Sequence, residues 1–134
     1  MKLLIDTNIF LEVILEQEKV KEAQALLSQV EKHKFFISDY SLHSIGLLLF
    51  RRRQHEVFRR FLKDMILEAG VTVIALAAQE MEDIIQAAQQ FGLDFDDAYQ
   101  YAVAADYNLT IVSFDSDFDR TERGRKTPKD LLEG

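Results

Sequence analysis

The 134-residue chain contains no cysteine. Disulfide bridges, thiolate metal sites and cysteine nucleophiles are excluded together, and the composition fits a reducing cytoplasm. Proline occurs once, at Pro128, and glycine five times, so long regular elements are expected rather than many turns. Nor is there an apolar run of membrane-spanning length. Leu3, Leu4 and Ile5 are stopped by Asp6, and the apolar stretch at 42–50 runs into Arg51, Arg52 and Arg53. The first run is also too short for a signal-peptide core, so a soluble chain without membrane contact is expected. Positive charge is in deficit as well, with a formal net charge of −7. An acidic surface does not in general attract polyanions. Any nucleic-acid chemistry must then rest on a local site, with a cationic metal as its means.

What the chain does have is apolar residues, 48% of the total, enough for a real core. Its length suits one domain covering 1–134 and is short for two. Lys2–Asp6, Lys34–Ser38, Val71–Leu76 and Leu109–Ser113 read as buried strands. Between them the spacing turns helical. Val20, Ala23, Leu27 and Val30 share a face, as do Leu42, Ile45, Leu48 and Leu49. Further stripes are Phe58, Phe61, Leu62 and Met65, then Met81, Ile84, Ile85 and Ala88, then Ala98, Tyr101, Ala102 and Ala105. Ser38 or Asp39 can cap the second stripe, while Gly70 and Gly92 stand where left-handed caps are wanted. Helical segments are thus expected over 12–32 and 40–68. A polar tail beyond Asp119 should be a loop, closed by a short helix near Lys129–Leu132. Strands alternating with helices favour an α/β domain whose mainly parallel sheet is covered on both faces.

In such sheets, ligands bind beyond the carboxyl ends of the strands. Asp6 ends the first strand, and Ser113 ends the last, closely followed by Asp115, Asp117 and Asp119. A third group, Asp94, Asp96 and Asp97, opens the alanine-rich helix. If the first and last strands are neighbours, all three groups can meet in one cleft. Two carboxylates about 4 Å apart repel by roughly 4 kcal/mol at an effective dielectric near 20, so protons or a divalent cation must hold them. With hard oxygen donors and no cysteine, Mg²⁺ or Mn²⁺ is selected over Zn²⁺. Such ions serve phosphodiester hydrolysis. Each group also has a plain structural use. Asp6 can be a helix cap, the acids at 94–97 can suit a helix dipole, and those at 115–119 can belong to a solvated turn.

Three pieces together carry a likeness: Leu-Leu-Ile-Asp-Thr-Asn at 3–8, Phe-Asp-Asp-Ala at 95–98, and Thr-Ile-Val-Ser-Phe-Asp-Ser-Asp-Phe at 110–118. In this order and spacing the chain resembles the PIN domains, typified by the VapC-type toxins of bacterial toxin–antitoxin pairs. The resemblance spans nearly the whole chain. It implies a three-layer α/β/α PIN-like fold and an endoribonuclease dependent on Mg²⁺ or Mn²⁺. The implied metal-binding and catalytic acids are Asp6, Asp97 and Asp115, with Asn8 and Ser113 supporting them. RNA substrate, a homodimer and an antitoxin partner are implied too. One departure stands out: the family usually places a glutamate where this chain has Ser44. Asp94 or Asp96 can compensate by supplying an acid. Otherwise the site is diminished, and the chain is an RNA- or protein-binding module. A phosphatase of the haloacid-dehalogenase type ranks last, since it wants a second acid two residues after Asp6 and position 8 is Asn8.

The remaining polar residues are less pointed. His33, His43 and His55 lack ligand spacing and read as surface or locally bonded groups. Arg51, Arg52, Arg53, Arg59 and Arg60 fit either phosphate contact or solvated helix ends. Arg120, Arg123, Arg125 and Lys126 are better placed to meet a substrate backbone, although a basic loop has the same composition.

Overall fold

Leu3, Leu4 and Ile5 are all fully buried, as a continuous apolar run must be when both faces of its strand are covered. The structure, a computed structural model, describes residues 1–133. Its strands are β1 (Lys2–Ile5), β2 (Lys34–Ser38), β3 (Thr72–Ile74) and β4 (Thr110–Val112). They form one parallel sheet in the order β3-β2-β1-β4. The first and last strands are therefore direct neighbours, with Ile5 beside Val112.

Alternation along the strands sorts side chains into two layers. Leu4, Phe36 and Ile111 pack with Ile84, Ala87, Ala98 and Val103 on one face. Leu3, Ile5, Phe35, Ile37 and Val112 pack with Ile9, Phe10, Leu26, Ile45 and Phe61 on the other. Each large side chain so buried contributes about 1.5–3 kcal/mol. The helices supplying these layers are α1 (Thr7–Ile14), α2 (Val20–Leu27), α3 (Asp39–Arg51), α4 (His55–Phe61), α5 (Met81–Phe91), α6 (Phe95–Tyr107) and α7 (Pro128–Leu132). The result is the expected three-layer α/β/α arrangement.

The long helical segments are broken where the sequence reading joined them. Helix α1 starts directly after Asp6, and Glu16 at φ +50° separates it from α2, which stops at Leu27. Val30 is consequently exposed rather than in the stripe. Arg53 at φ +56° divides α3 from α4, and the chain continues as a π-helical segment over Leu62–Glu68. The third strand is shorter than Val71–Leu76, and Ala105 on α6 faces solvent. Gly92 adopts the left-handed cap of α5 at φ +65°, a conformation that glycine reaches without strain. The tail is more ordered than a loop: Ser113 donates to Lys126 O at 3.0 Å, and Lys126 donates to Ile111 O at 2.8 Å. Thr127 then caps α7 reciprocally with Asp130, and Pro128 takes the first helical position. No helix of the described residues is long and apolar enough to cross a membrane.

Candidate active site

The carboxyl ends of β1, β2 and β4 meet the amino ends of α1, α3 and α6. Local sequence accounts for each junction. Asp6 is the N-cap of α1, with its side chain accepting from Thr7 N, so the plain cap reading is fulfilled. Ser38 rather than Asp39 caps α3, accepting from Ser41 N at 3.0 Å. Asp94 caps α6, accepting from Asp97 N at 3.0 Å. Beyond β4, Asp115 accepts from Asp117 N and so opens the turn over Ser116–Arg120.

Asp6 is only 8% exposed, and protein donors hold both of its oxygens. Oδ1 accepts from Thr7 N and Gln100 Nε2, both at 2.9 Å, and Oδ2 accepts from Ser113 Oγ at 2.6 Å. Asn8 braces the same corner, donating to Ser113 Oγ at 3.1 Å and accepting from Phe114 N at 3.2 Å. Ser113 Oγ also accepts from Asp115 N at 2.9 Å, which ties the first and last acids through one hydroxyl. On the other side, Gln100 donates to Ser41 Oγ at 2.8 Å, and Thr7 Oγ1 donates to that oxygen at 2.8 Å.

Three carboxylates also crowd together beside this corner. Asp97, Asp115 and Asp117 each offer an oxygen within 4.8 Å of the others, and they grade from buried through half-buried to exposed. The electrostatic consequences follow the crowding. Burial above all, then the charges of Asp115, Asp94 and Asp6 and a hydrogen bond with Asp115, push Asp97 up to about 7. Burial also holds the Asp6 carboxyl above its usual range, although the bonds from Ser113, Gln100 and Thr7 pull it back down. Three helix amino ends favour negative charge here by roughly 0.3–1 kcal/mol each. A single pair of carboxylates at about this separation costs roughly 3–4 kcal/mol at an effective dielectric near 20, so the dipoles do not win. The donor set is all hard oxygen, with no histidine in the cluster. It suits Mg²⁺ or Mn²⁺.

The structure thus brings Asp6, Asp97, Asp115, Asn8 and Ser113 into one corner. Asp94 is exposed and occupied as a cap, outside the closest group, and reaches Asp97 through its charge. Ser44 lies half-buried on α3, one helical turn after Tyr40. Burial raises the Tyr40 phenol, as do Asp96 and Asp6, while Ser44 opposes the rise. The helix face on which the resemblance wants a carboxylate therefore carries two hydroxyls.

Periodicity gives no reason to single out Gln100 or Ser41, and Asp117 reads in sequence as one of three similar turn acids. The available signal for Gln100 was a polar side chain one turn after Asp97 among residues that are otherwise small or apolar. Two arginines of the basic tail are less available than its composition suggests. Arg123 donates to Asn108 Oδ1 and Leu109 O, at the opening of β4, and Arg125 is held by Asp119 and Ser113 O. His43 and the arginine-rich ends of α3 and α4 lie outside the acid cluster, with His43 lining an apolar surface groove beside Leu47, Phe50 and Phe58.

Comparisons with known proteins agree with this fold. The family model described as PIN domain matches residues 3–124. Among solved structures, VapBC2 from Rickettsia felis, bound to a DNA fragment from its promoter, is similar at a TM-score of 0.76 and 17% identity, over 95% of this chain and 98% of that one. VapC20 of Mycobacterium tuberculosis, a toxin cleaving the sarcin-ricin loop, gives a TM-score of 0.70 and 20% identity, over 87% and 92%. A toxin–antitoxin complex from Klebsiella pneumoniae gives 0.68 and 22%, over 93% and 96%. No curated protein sequence matches the chain. With a family model covering residues from the first strand to beyond the last, and a fold shared with these structures along nearly their whole length, the chain belongs to the PIN domain family.

Proposed function

We propose that this chain, as one domain over residues 1–134, is a metal-dependent endoribonuclease that hydrolyses RNA phosphodiester bonds as the toxin of a toxin–antitoxin pair. The observation that carries the reading is the approach of Asp97, Asp115 and Asp117 to within 4.8 Å beside the buried Asp6. Asp97, Asp115 and Asp117 would hold Mg²⁺ or Mn²⁺, with the buried Asp6 adding negative charge beside them. The ion, when bound, supplies an activated water and neutralises charge on the phosphoryl oxygens. The protein's own part is orientation. Ser113, Gln100 and Thr7 fix the plane of Asp6, and Asn8 fixes Ser113 and the Phe114 amide. With Asp97 pushed up to about 7, its proton must leave before its carboxylate can serve a cation.

Membership of the PIN family supports nuclease chemistry, and the toxin–antitoxin structures of the same fold support an antitoxin partner; a cytoplasmic homodimer is carried over from the resemblance alone. The test is cleavage of RNA in Mn²⁺ by purified chain, with and without chelator. Cleavage that requires Mn²⁺ and disappears in Asp115→Asn supports the reading, and an inert wild type in Mn²⁺ removes it.

A second reading has one observation of its own, the hydroxyls of Ser44 and Tyr40 on the face of α3 where a glutamate is expected. It makes the chain a diminished PIN domain that binds RNA or a protein without cutting. Binding indifferent to chelator, with no cleavage in Mn²⁺, would favour it.

A further inference from the structure

Arg120 closes the turn that follows Asp115, and its Nη2 lies 3.3 Å from Asp117 Oδ1. Asp117 is the exposed member of the acid group, so among the described residues this is the ion pair that joins the cluster to a cation. Nε of Arg120 reaches Asp117 O at 3.4 Å, and Nη1 has no hydrogen-bond partner among the described residues. That nitrogen lies 3.8 Å from the point where a Cβ on Gly92 would stand, in the loop leading to Asp94. The guanidinium thus pairs with one acidic loop of the site and lies near the backbone that leads to the other, half exposed, with donors to spare. The other two arginines of the tail are committed elsewhere: Arg123 to Asn108 and Leu109, Arg125 to Asp119 and Ser113 O.

We infer that Arg120 receives a substrate phosphate, and that Asp117 exchanges this arginine for the divalent cation when the site fills. The inference rests on the nuclease reading and adds a substrate-binding residue to it. Physical need motivates it first. A phosphodiester approaching Asp6, Asp97, Asp115 and Asp117 meets charge of its own sign, and an arginine fork is the side chain best shaped to donate to two phosphate oxygens. An exposed pair one turn apart adds little to stability, so its exchange costs the fold little. Cation and RNA should then bind with positive coupling, because the cation takes Asp117 and leaves Arg120 free for the phosphate.

The test is fluorescence anisotropy of a short labelled single-stranded RNA with wild type, Arg120→Ala, Arg120→Lys and Arg123→Ala, in Ca²⁺ and in EDTA across a salt series. Arg120→Ala should bind several-fold more weakly in Ca²⁺ and lose the enhancement that Ca²⁺ gives the wild type. Its log–log salt slope should be shallower by about 0.7, the share of one phosphate contact on a single strand. Arg120→Lys should keep the slope and part of the affinity, and Arg123→Ala should match the wild type. An unchanged slope in Arg120→Ala overturns this inference alone, as does an equal loss in Arg123→Ala, which would reduce the effect to bulk charge. A wild type that binds no RNA in either condition overturns it together with the nuclease reading.

Discussion

Both ends of strand β1 bring like charges together, and they behave in opposite ways. At the amino end, Lys2 stands in register with Lys34 on the neighbouring strand, and both side chains are exposed. Water screens the pair, and Lys34 Nζ settles 5.4 Å from the centre of the Phe36 ring. At the carboxyl end, Asp6 is buried beside α1 and α6 with Asp97 and Asp115 close by, and burial is the largest cause of the raised pKa of both Asp6 and Asp97. Charge proximity alone therefore does not make a site. Proximity under exclusion of water does, because only then must a proton or a cation be present.

The strongest way to sharpen that contrast is to remove one acid from the buried end. Asp115→Asn is expected to lower Mn²⁺-dependent RNA cleavage by on the order of 10²-fold or more, measured under single-turnover conditions, while circular dichroism stays unchanged. A variant with full activity breaks the assignment. Next in size is a pH effect on binding. With Asp97 pushed up to about 7, a cation must displace a proton below that value. Apparent Mn²⁺ affinity should fall by about tenfold per pH unit below 7 and level off above it, as read by calorimetry.

Stability without metal should show the same group with its sign fixed. The unfolded Asp97 releases its proton near 3.8 and the folded one near 7, so between these values the folded state holds the extra proton. Stability tied to this proton is full below pH 3.8 and is lost as pH climbs through 7. Metal-free wild type should therefore melt at a lower temperature at pH 8 than at pH 5, and Asp97→Asn should remove much of that difference. An identical pH dependence in the variant contradicts the origin assigned to it. Gln100→Leu probes the bracing and should cost roughly 1–3 kcal/mol, since Asp6 and Ser41 each lose a buried donor, as checked by urea unfolding. Smallest is the change at the exposed end: Lys34→Ala should stay within about 0.5 kcal/mol of wild type in the same assay.

How far the sequence foretold these features depended on whether neighbours along the chain decide them. Strand β1 and the terminal acid of β4 were legible because apolar runs end abruptly at polar residues. The adjacency of β1 and β4, on which the cluster depends, was not, since strand order is a property of the whole sheet. The start of helix α1 was half legible: Asp6 is open to reading as a helix cap, yet the helix is expected only from residue 12, because no apolar stripe marks its first turn. The breaks at Glu16 and Arg53 occur at left-handed residues that are not glycine, where sequence gives little warning. Helix α6 hid Gln100 for a related reason. It is buried over Asp97–Gln100 and Ala102–Ala104, so no single apolar stripe marks which side faces the acids.

The most direct measurement is a Mn²⁺ titration of the full chain by isothermal calorimetry, run in parallel on wild type and Asp97→Asn near pH 6.5 in buffers of different ionisation enthalpy. A cation-held cluster gives wild-type binding accompanied by net proton release, and neither in the variant. Wild-type binding that survives unchanged in Asp97→Asn, or no binding in the wild type, would contradict it.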